Sequence, residues 1–135
     1  MADVDLSKLE FFEEFSDKEL KQVRALAEEV SVEAGAILIE QGDVGRQAYV
    51  ICEGQAGVYV GGNRVATVGP GSAVGEMALL DKRPRSATVK ALTDLELLSF
   101  RTGPFQELLE TMPKAATRMM AQLNQKLRDQ NQQQS

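Results

Sequence analysis

The chain of 135 residues contains no histidine and a single cysteine, Cys52. Without histidine there is no imidazole to move a proton near neutral pH and no His-built metal centre. One cysteine excludes an internal disulfide and a four-thiolate site, so nothing in the composition points to an oxidising compartment. Cys52 lies in an apolar run and reads as a small buried hydrophobe rather than a reactive thiol. No stretch approaches the roughly 18 apolar residues of a membrane span. The N-terminus, Met1-Ala2-Asp3-Val4-Asp5, lacks the basic start and apolar run of a signal peptide. Basic residues are also scarce. Fifteen lysines and arginines face 20 acids, and the net charge of −5 disfavours a general role on nucleic acid or an anionic membrane. No loop has the acidic spacing of a calcium site, so no metal is expected. The expected setting is the cytoplasm.

A 43% hydrophobic, 26% charged chain of this length suits one domain with its own core. The expected layout is a single domain over 1–135, with a helical part at 1–30, a β region at 31–101 and C-terminal helices at 104–130. Leu6, Leu9, Phe11, Phe12 and Phe15 give the first segment enough apolar surface to lie on a core. Ser16 and Glu19 then form a Ser-x-x-Glu capping box, with Phe15 and Leu20 placed as a hydrophobic staple. Leu20, Val23, Ala27 and Val30 follow at helical spacing.

Beyond Val30 glycines cut the sequence into strand-length pieces, the pattern of a sandwich or barrel. The expected strands are 36–40, 48–52, 58–60, 64–68, 87–91 and 95–100. Gly61-Gly62-Asn63 reads as a hairpin turn. The other glycines are assigned turns and no chemistry. A helix is expected to begin after Gly103, with Pro104 in its first turn, and Met112-Pro113 to break it. The last helix carries Ala116, Met119, Met120, Leu123 and Leu127 on one stripe, and 131–135 is a polar tail expected to fray. The stripe suits core or lid packing; a protein effector or a second copy of the chain is the alternative occupant of its methionine-bearing face.

The residues that carry chemistry lie between Val74 and Val89. Val74-Gly75-Glu76-Met77-Ala78-Leu79-Leu80 opens a short apolar helical turn, and Arg85-Ser86-Ala87-Thr88-Val89 leads into a strand. Unpaired N–H groups at a helix start face an approaching anion, and Gly75 has no side chain to block it. Arg85 adds a permanently charged fork matched to phosphate oxygens. Glu76 repels phosphate but accepts from a sugar hydroxyl. The stretch therefore reads as a receptor for a phosphate and a hydroxyl together. Val74, Met77 and Val65 are candidate apolar walls, the N–H groups near Gly75 to Ala78 face the phosphate, Ser86 and Ala87 allow close backbone approach, and the Ser86 hydroxyl can donate.

This segment resembles the phosphate-binding cassette of the cyclic nucleotide-binding domain family. Gly-Glu-x-Ala-Leu-Leu and Arg-x-Ala-Thr-Val stand at the usual separation, and Gly42-Asp43-Val44-Gly45 followed by Tyr49, Ile51 and Gly54 extends the likeness over most of the chain. The resemblance implies a mainly β, jelly-roll β-barrel (double-stranded β-helix) flanked by N- and C-terminal helices. It implies that Glu76 holds the ribose 2′-hydroxyl and Arg85 the cyclic phosphate, with no catalysis and no cofactor. In relatives the final helix swings over the pocket as a lid. The hydroxyl-bearing base contacts of the bacterial activator proteins fall near Gln130 and Asn131 here, where this sequence departs from them. Cyclic AMP is the expected ligand, with cyclic GMP open because Ser86 follows the arginine. Many bacterial relatives continue into a helix-turn-helix domain and this sequence does not, so transcription factor activity is not carried over. The competing reading is a nucleotide-independent interaction or dimerisation module on the same fold. An enzyme is disfavoured, since phosphodiester hydrolysis needs a metal cluster or an acid–base pair that Glu76 and Arg85 do not supply.

Overall fold

The computed structural model describes residues 6–9, 12–13, 15–76 and 84–134, with side chains in the last helix described at 113–122, 124 and 125. After one turn of 3-10 helix at Leu6–Lys8, Ser16 and Glu19 close the capping box that their spacing predicts. The Glu19 N–H donates to Ser16 Oγ at 3.2 Å and the Ser16 N–H donates to Glu19 Oε1 at 2.8 Å. Helix α1 runs from this cap over Asp17–Leu26, and Phe15 and Leu20 both pack into the core beneath it.

The helix stops earlier than its apolar spacing predicts. Ala27 is an extended C-cap and Val30 lies in strand β1, Glu28–Val32. β1 pairs along its whole length with β8, Leu95–Arg101, setting Val30 opposite Leu97. That long-range ladder overrides the local helical period.

Strands β2 (Ile37–Ile39), β3 (Gln47–Glu53), β4 (Ala56–Val60), β5 (Asn63–Val68) and β7 (Thr88–Ala91) fall on expected segments, while β6 (Ala73–Val74) is too short to have been read. They form two four-stranded antiparallel sheets, in the orders β1-β8-β3-β6 and β2-β7-β4-β5. This is a mainly β jelly-roll arrangement with helices at both ends of the chain. Gly61 and Gly62, at φ 58° and 85°, make the two-residue turn between Val60 and Asn63, where both positions need a positive φ.

β3 and β8 are buried on both faces. Ile51, Leu95 and Leu97 point into the sandwich with Ile39, Ala56, Val74, Val89 and Ala91. Ala48, Val50, Cys52, Leu98 and Phe100 point the other way, onto the helices. This alternation is the period of a strand expressed as two cores. Cys52 is a buried free thiol, as its context predicts.

Helix α2, Thr102–Glu110, begins before Gly103, and α3, Pro113–Gln134, starts on the proline. Phe105 of α2 joins the helical core to the sheet, with its ring 6.1 Å from Phe12 and 6.2 Å from Phe100. Among the described side chains of α3 the buried ones are Ala115 and Met119, whereas Met120, expected on the buried stripe, is 42% exposed. The backbone of α3 continues helically through the polar tail to Gln134. Leu123 and Leu127 lie outside the described side chains.

The reciprocal bonds at Ser16 fix where α1 starts over the helical core. Ser16→Ala is expected to lower the unfolding free energy by about 1 kcal/mol. A urea melt reads this, and an unchanged midpoint would mean that the box contributes nothing.

Candidate functional site

Arg85 is reached through a backbone clasp. Val44 and Pro84 form an isolated antiparallel bridge. The Arg85 N–H donates to the Asp43 carbonyl at 2.7 Å, and the Arg85 carbonyl accepts from the Gly42 N–H at 2.9 Å. The segment entering β7 is thereby tied to the loop between β2 and β3.

The side chain is then held from two sides by main-chain oxygens. Nη1 donates to the Gly75 carbonyl at 3.0 Å and Nη2 to the Gln47 carbonyl at 2.5 Å. Both acceptors are neutral, so they orient the guanidinium without cancelling its charge. It has five N–H donors, and these two bonds leave others for a ligand.

The slot exists because two residues lack a Cβ. A Cβ on Gly45 would lie 1.8–2.0 Å from Nε, Cζ and Nη2 of Arg85. One on Gly75 would lie 2.6 Å from Nη1 and 2.8 Å from Cδ1 of Ile39, and Gly75 also has a φ of +73°. Gly45 was read as a turn residue without chemistry; the structure gives it a place against the arginine. Its sequence signal was its position in Gly42-Asp43-Val44-Gly45, which alone does not say what approaches it.

Electrostatics agree with the geometry. Burial lowers the Arg85 pKa below its ordinary value, an effect partly offset by the Tyr49 phenol nearby. Burial likewise raises the Tyr49 pKa, with the Arg85 cation pulling the other way. Desolvating a cation against neutral carbonyls disfavours its charged form, and an arriving anion reverses that cost. Tyr49 is half-buried, and its hydroxyl donates to Gln47 Oε1 at 2.7 Å. Gln47 and Tyr49 were not singled out from the sequence as site residues.

Glu76 follows Gly75 and is buried, at 5% exposure, with a partner inside the protein. Val74 is buried in the sandwich core beside it. Ser86 is exposed and Ala87 half-buried, both next to Arg85 in the chain. Met77 and Ala78 lie outside the described residues. Val65, expected as an apolar wall, is instead 61% exposed on β5, a strand at the edge of its sheet where pairing with β4 is irregular. Gln130 and Asn131 are in α3, but their side chains are outside those described. The structure therefore brings Gly75 and Arg85 together directly, with Val74 and Glu76 flanking Gly75 in the chain.

The cyclic nucleotide-binding domain family model matches residues 29–112. A cyclic nucleotide-gated potassium channel of Rhizobium etli is 43% identical over 94 residues, which cover 70% of this chain and 26% of the channel. The chain thus spans about a quarter of the length of that curated relative. Among solved structures, the N-terminal domain of a transcriptional regulator from Streptomyces coelicolor is similar, with a TM-score of 0.83, 32% identity and 96% of each chain covered. The regulatory domain of Toxoplasma gondii PKA, co-crystallised with cAMP, matches with a TM-score of 0.71 and 32% identity, covering 76% of this chain and 41% of that one.

The two glycines beside Arg85 differ in what a methyl group would disturb. Gly75→Ala strains the backbone as well as crowding two side chains, and is expected to cost about 1–3 kcal/mol in a urea melt. Gly45→Ala leaves the backbone unstrained but pushes the guanidinium off the Gly75 and Gln47 carbonyls, and should cost less, about 0.5–1 kcal/mol. Equal losses would contradict this division of roles.

Proposed function

Because this chain belongs to the cyclic nucleotide-binding domain family, we propose that it is a regulatory module whose ligand is cyclic AMP, held at the slot that Gly45, Gly75 and Arg85 form. The observation that carries the reading is the half-buried guanidinium oriented by two neutral carbonyls. Such a group is preorganised for an anion and carries its full charge toward it. Glu76, one residue beyond Gly75, is the proposed acceptor for the ribose 2′-hydroxyl, because an ionised carboxylate accepts through both of its oxygens. Val74, Met77, Ala78, Ser86 and Ala87 complete the proposed contact set.

The output is proposed to be movement of α3. Support comes from the alternation of β3: Gln47 gives its carbonyl to Arg85, and Ala48, the next residue, is buried in the core that also holds Phe105, Met112, Ala115 and Met119. A shift at the slot is therefore one peptide away from the helical packing. The module is proposed to work in the cytoplasm on a protein effector and to return its ligand unchanged. Among the described residues no helix is long and apolar enough to cross a membrane.

Calorimetric titration with cyclic AMP and with cyclic GMP, using 5′-AMP as a control, tests the assignment. Saturable binding of one cyclic nucleotide is expected, with cyclic AMP the tighter. Binding of neither by folded, nucleotide-free protein would favour a nucleotide-independent docking module. Arg85→Ala should weaken binding by about 2–5 kcal/mol, roughly thirty-fold to a few thousand-fold, while circular dichroism remains that of the parent. Full affinity in that variant would remove Arg85 from the site. A 2′-deoxy analogue of cyclic AMP should bind about ten-fold or more weakly, since the buried carboxylate loses its partner. Equal affinity for the two analogues would take Glu76 out of the contact set.

A further inference from the structure

Gln47 is used twice. Its backbone carbonyl accepts from Arg85 Nη2, and its side-chain Oε1 accepts from the Tyr49 hydroxyl at 2.7 Å. The two residues are two apart on β3, so both side chains lie on the face directed between the sheets. Their positions in the ladder differ. Tyr49 is flanked by Ser99 on one side and Val74 on the other, whereas Gln47 opposes Arg101 at the end of the pairing with β8. Before Gln47 come an exposed Arg46 and the half-buried Gly45. The Thr102 N–H donates to the Arg46 carbonyl at 2.9 Å and holds the backbone before Gln47, while the Tyr49 hydroxyl holds the Gln47 side chain to the part of the strand paired on both edges.

We infer that Tyr49 is a positioning residue for the anion-binding arm, acting through Gln47 on the orientation of the Arg85 guanidinium. The phenol ring packs against the sandwich core, which fixes the hydroxyl in space. Burial also keeps the phenol protonated, so that it remains a donor. The order of constraint runs from core to Tyr49, to Gln47, to Arg85, and only then to the ligand. The inference rests on the cyclic nucleotide reading for its affinity readout but not for its geometry.

Tyr49→Phe removes one hydroxyl and keeps the ring. With the variant's melting transition matched to the parent, affinity for cyclic AMP is expected to fall about two- to ten-fold, the range for one neutral hydrogen bond. In an Arg85→Ala background the same change should cause no further loss, because the effect passes through the arginine. Equal losses in both backgrounds would overturn the inference, and so would full affinity in the single variant. A second readout needs no nucleotide. In ligand-free protein, ¹⁵N NMR should show the Arg85 guanidinium N–H groups exchanging at least about three-fold faster in Tyr49→Phe, as a loosened carbonyl releases its donor. Unchanged exchange would also overturn it. If the parent chain bound no cyclic nucleotide, the proposed function would fall, and the exchange rates alone would decide whether Tyr49 positions Arg85.

Discussion

A cation half out of water, held by carbonyls rather than by a carboxylate, is the constraint on which this structure turns. The guanidinium of Arg85 needs room on two sides, and Gly45 and Gly75 give it by lacking a Cβ. It needs acceptors that leave its charge intact, and the carbonyls of Gln47 and Gly75 serve. Those groups come from β3, from the loop before it and from the turn after β6. They are distant in sequence, and the slot exists only when both sheets are assembled. A surface ion pair between an arginine and a carboxylate would have been simpler to build and worth little. A half-buried arginine facing neutral dipoles costs stability in the empty protein and recovers it when an anion arrives, which is the thermodynamic profile of a binding site.

The same strand gives the slot its proposed connection to the helices. β3 is buried on both faces, with Tyr49 and Ile51 toward the sandwich and Ala48, Val50 and Cys52 toward the helices. In a close-packed interior, a displacement on one face has no void in which to dissipate. The ring of Phe105 lies 6.1 Å from that of Phe12 and 6.2 Å from that of Phe100, so α2 packs directly on this layer. A fold with the site on an exposed hairpin such as that between β4 and β5 would lack this link, because residues 60–64 at its tip are exposed and belong to neither core.

How much of this was legible depended on whether the determining interactions were local. The capping box at Ser16 and Glu19 and the paired glycines at Gly61 and Gly62 were readable because each is complete within a few residues. The cassette was readable because its residue types combine in a way that random sequence seldom does. β1 was missed because Val30 continues the helical phase of Leu20 and Val23, and only the ladder to β8, more than sixty residues away, decides against the helix. β6 was missed because two residues carry no period at all. Met120 was misplaced because a stripe of adjacent apolar residues on a helix cannot say which member faces in; the core selected Ala115 and Met119. Gln47 was invisible for a deeper reason: the group it lends to Arg85 is a carbonyl that every residue possesses. Gly45 could be read as small, but what it makes room for is a tertiary fact.

The feature that looked least suited to an anion site is the one proposed to give it selectivity. Among the described residues of the cassette, Arg85 is the one cation, and Glu76 is a buried carboxylate nine positions before it. A cyclic phosphodiester carries one negative charge, which a single guanidinium balances, and it presents a ribose hydroxyl that the carboxylate can accept from. A phosphomonoester at neutral pH carries nearly two negative charges. At the proposed site the Glu76 carboxylate would repel the second charge more than a monoanion's single one. A second arginine in place of Glu76 would raise affinity for every phosphate in the cell alike. Pairing an oriented cation with a buried acceptor instead suits the proposed site to a phosphate that has a hydroxyl beside it.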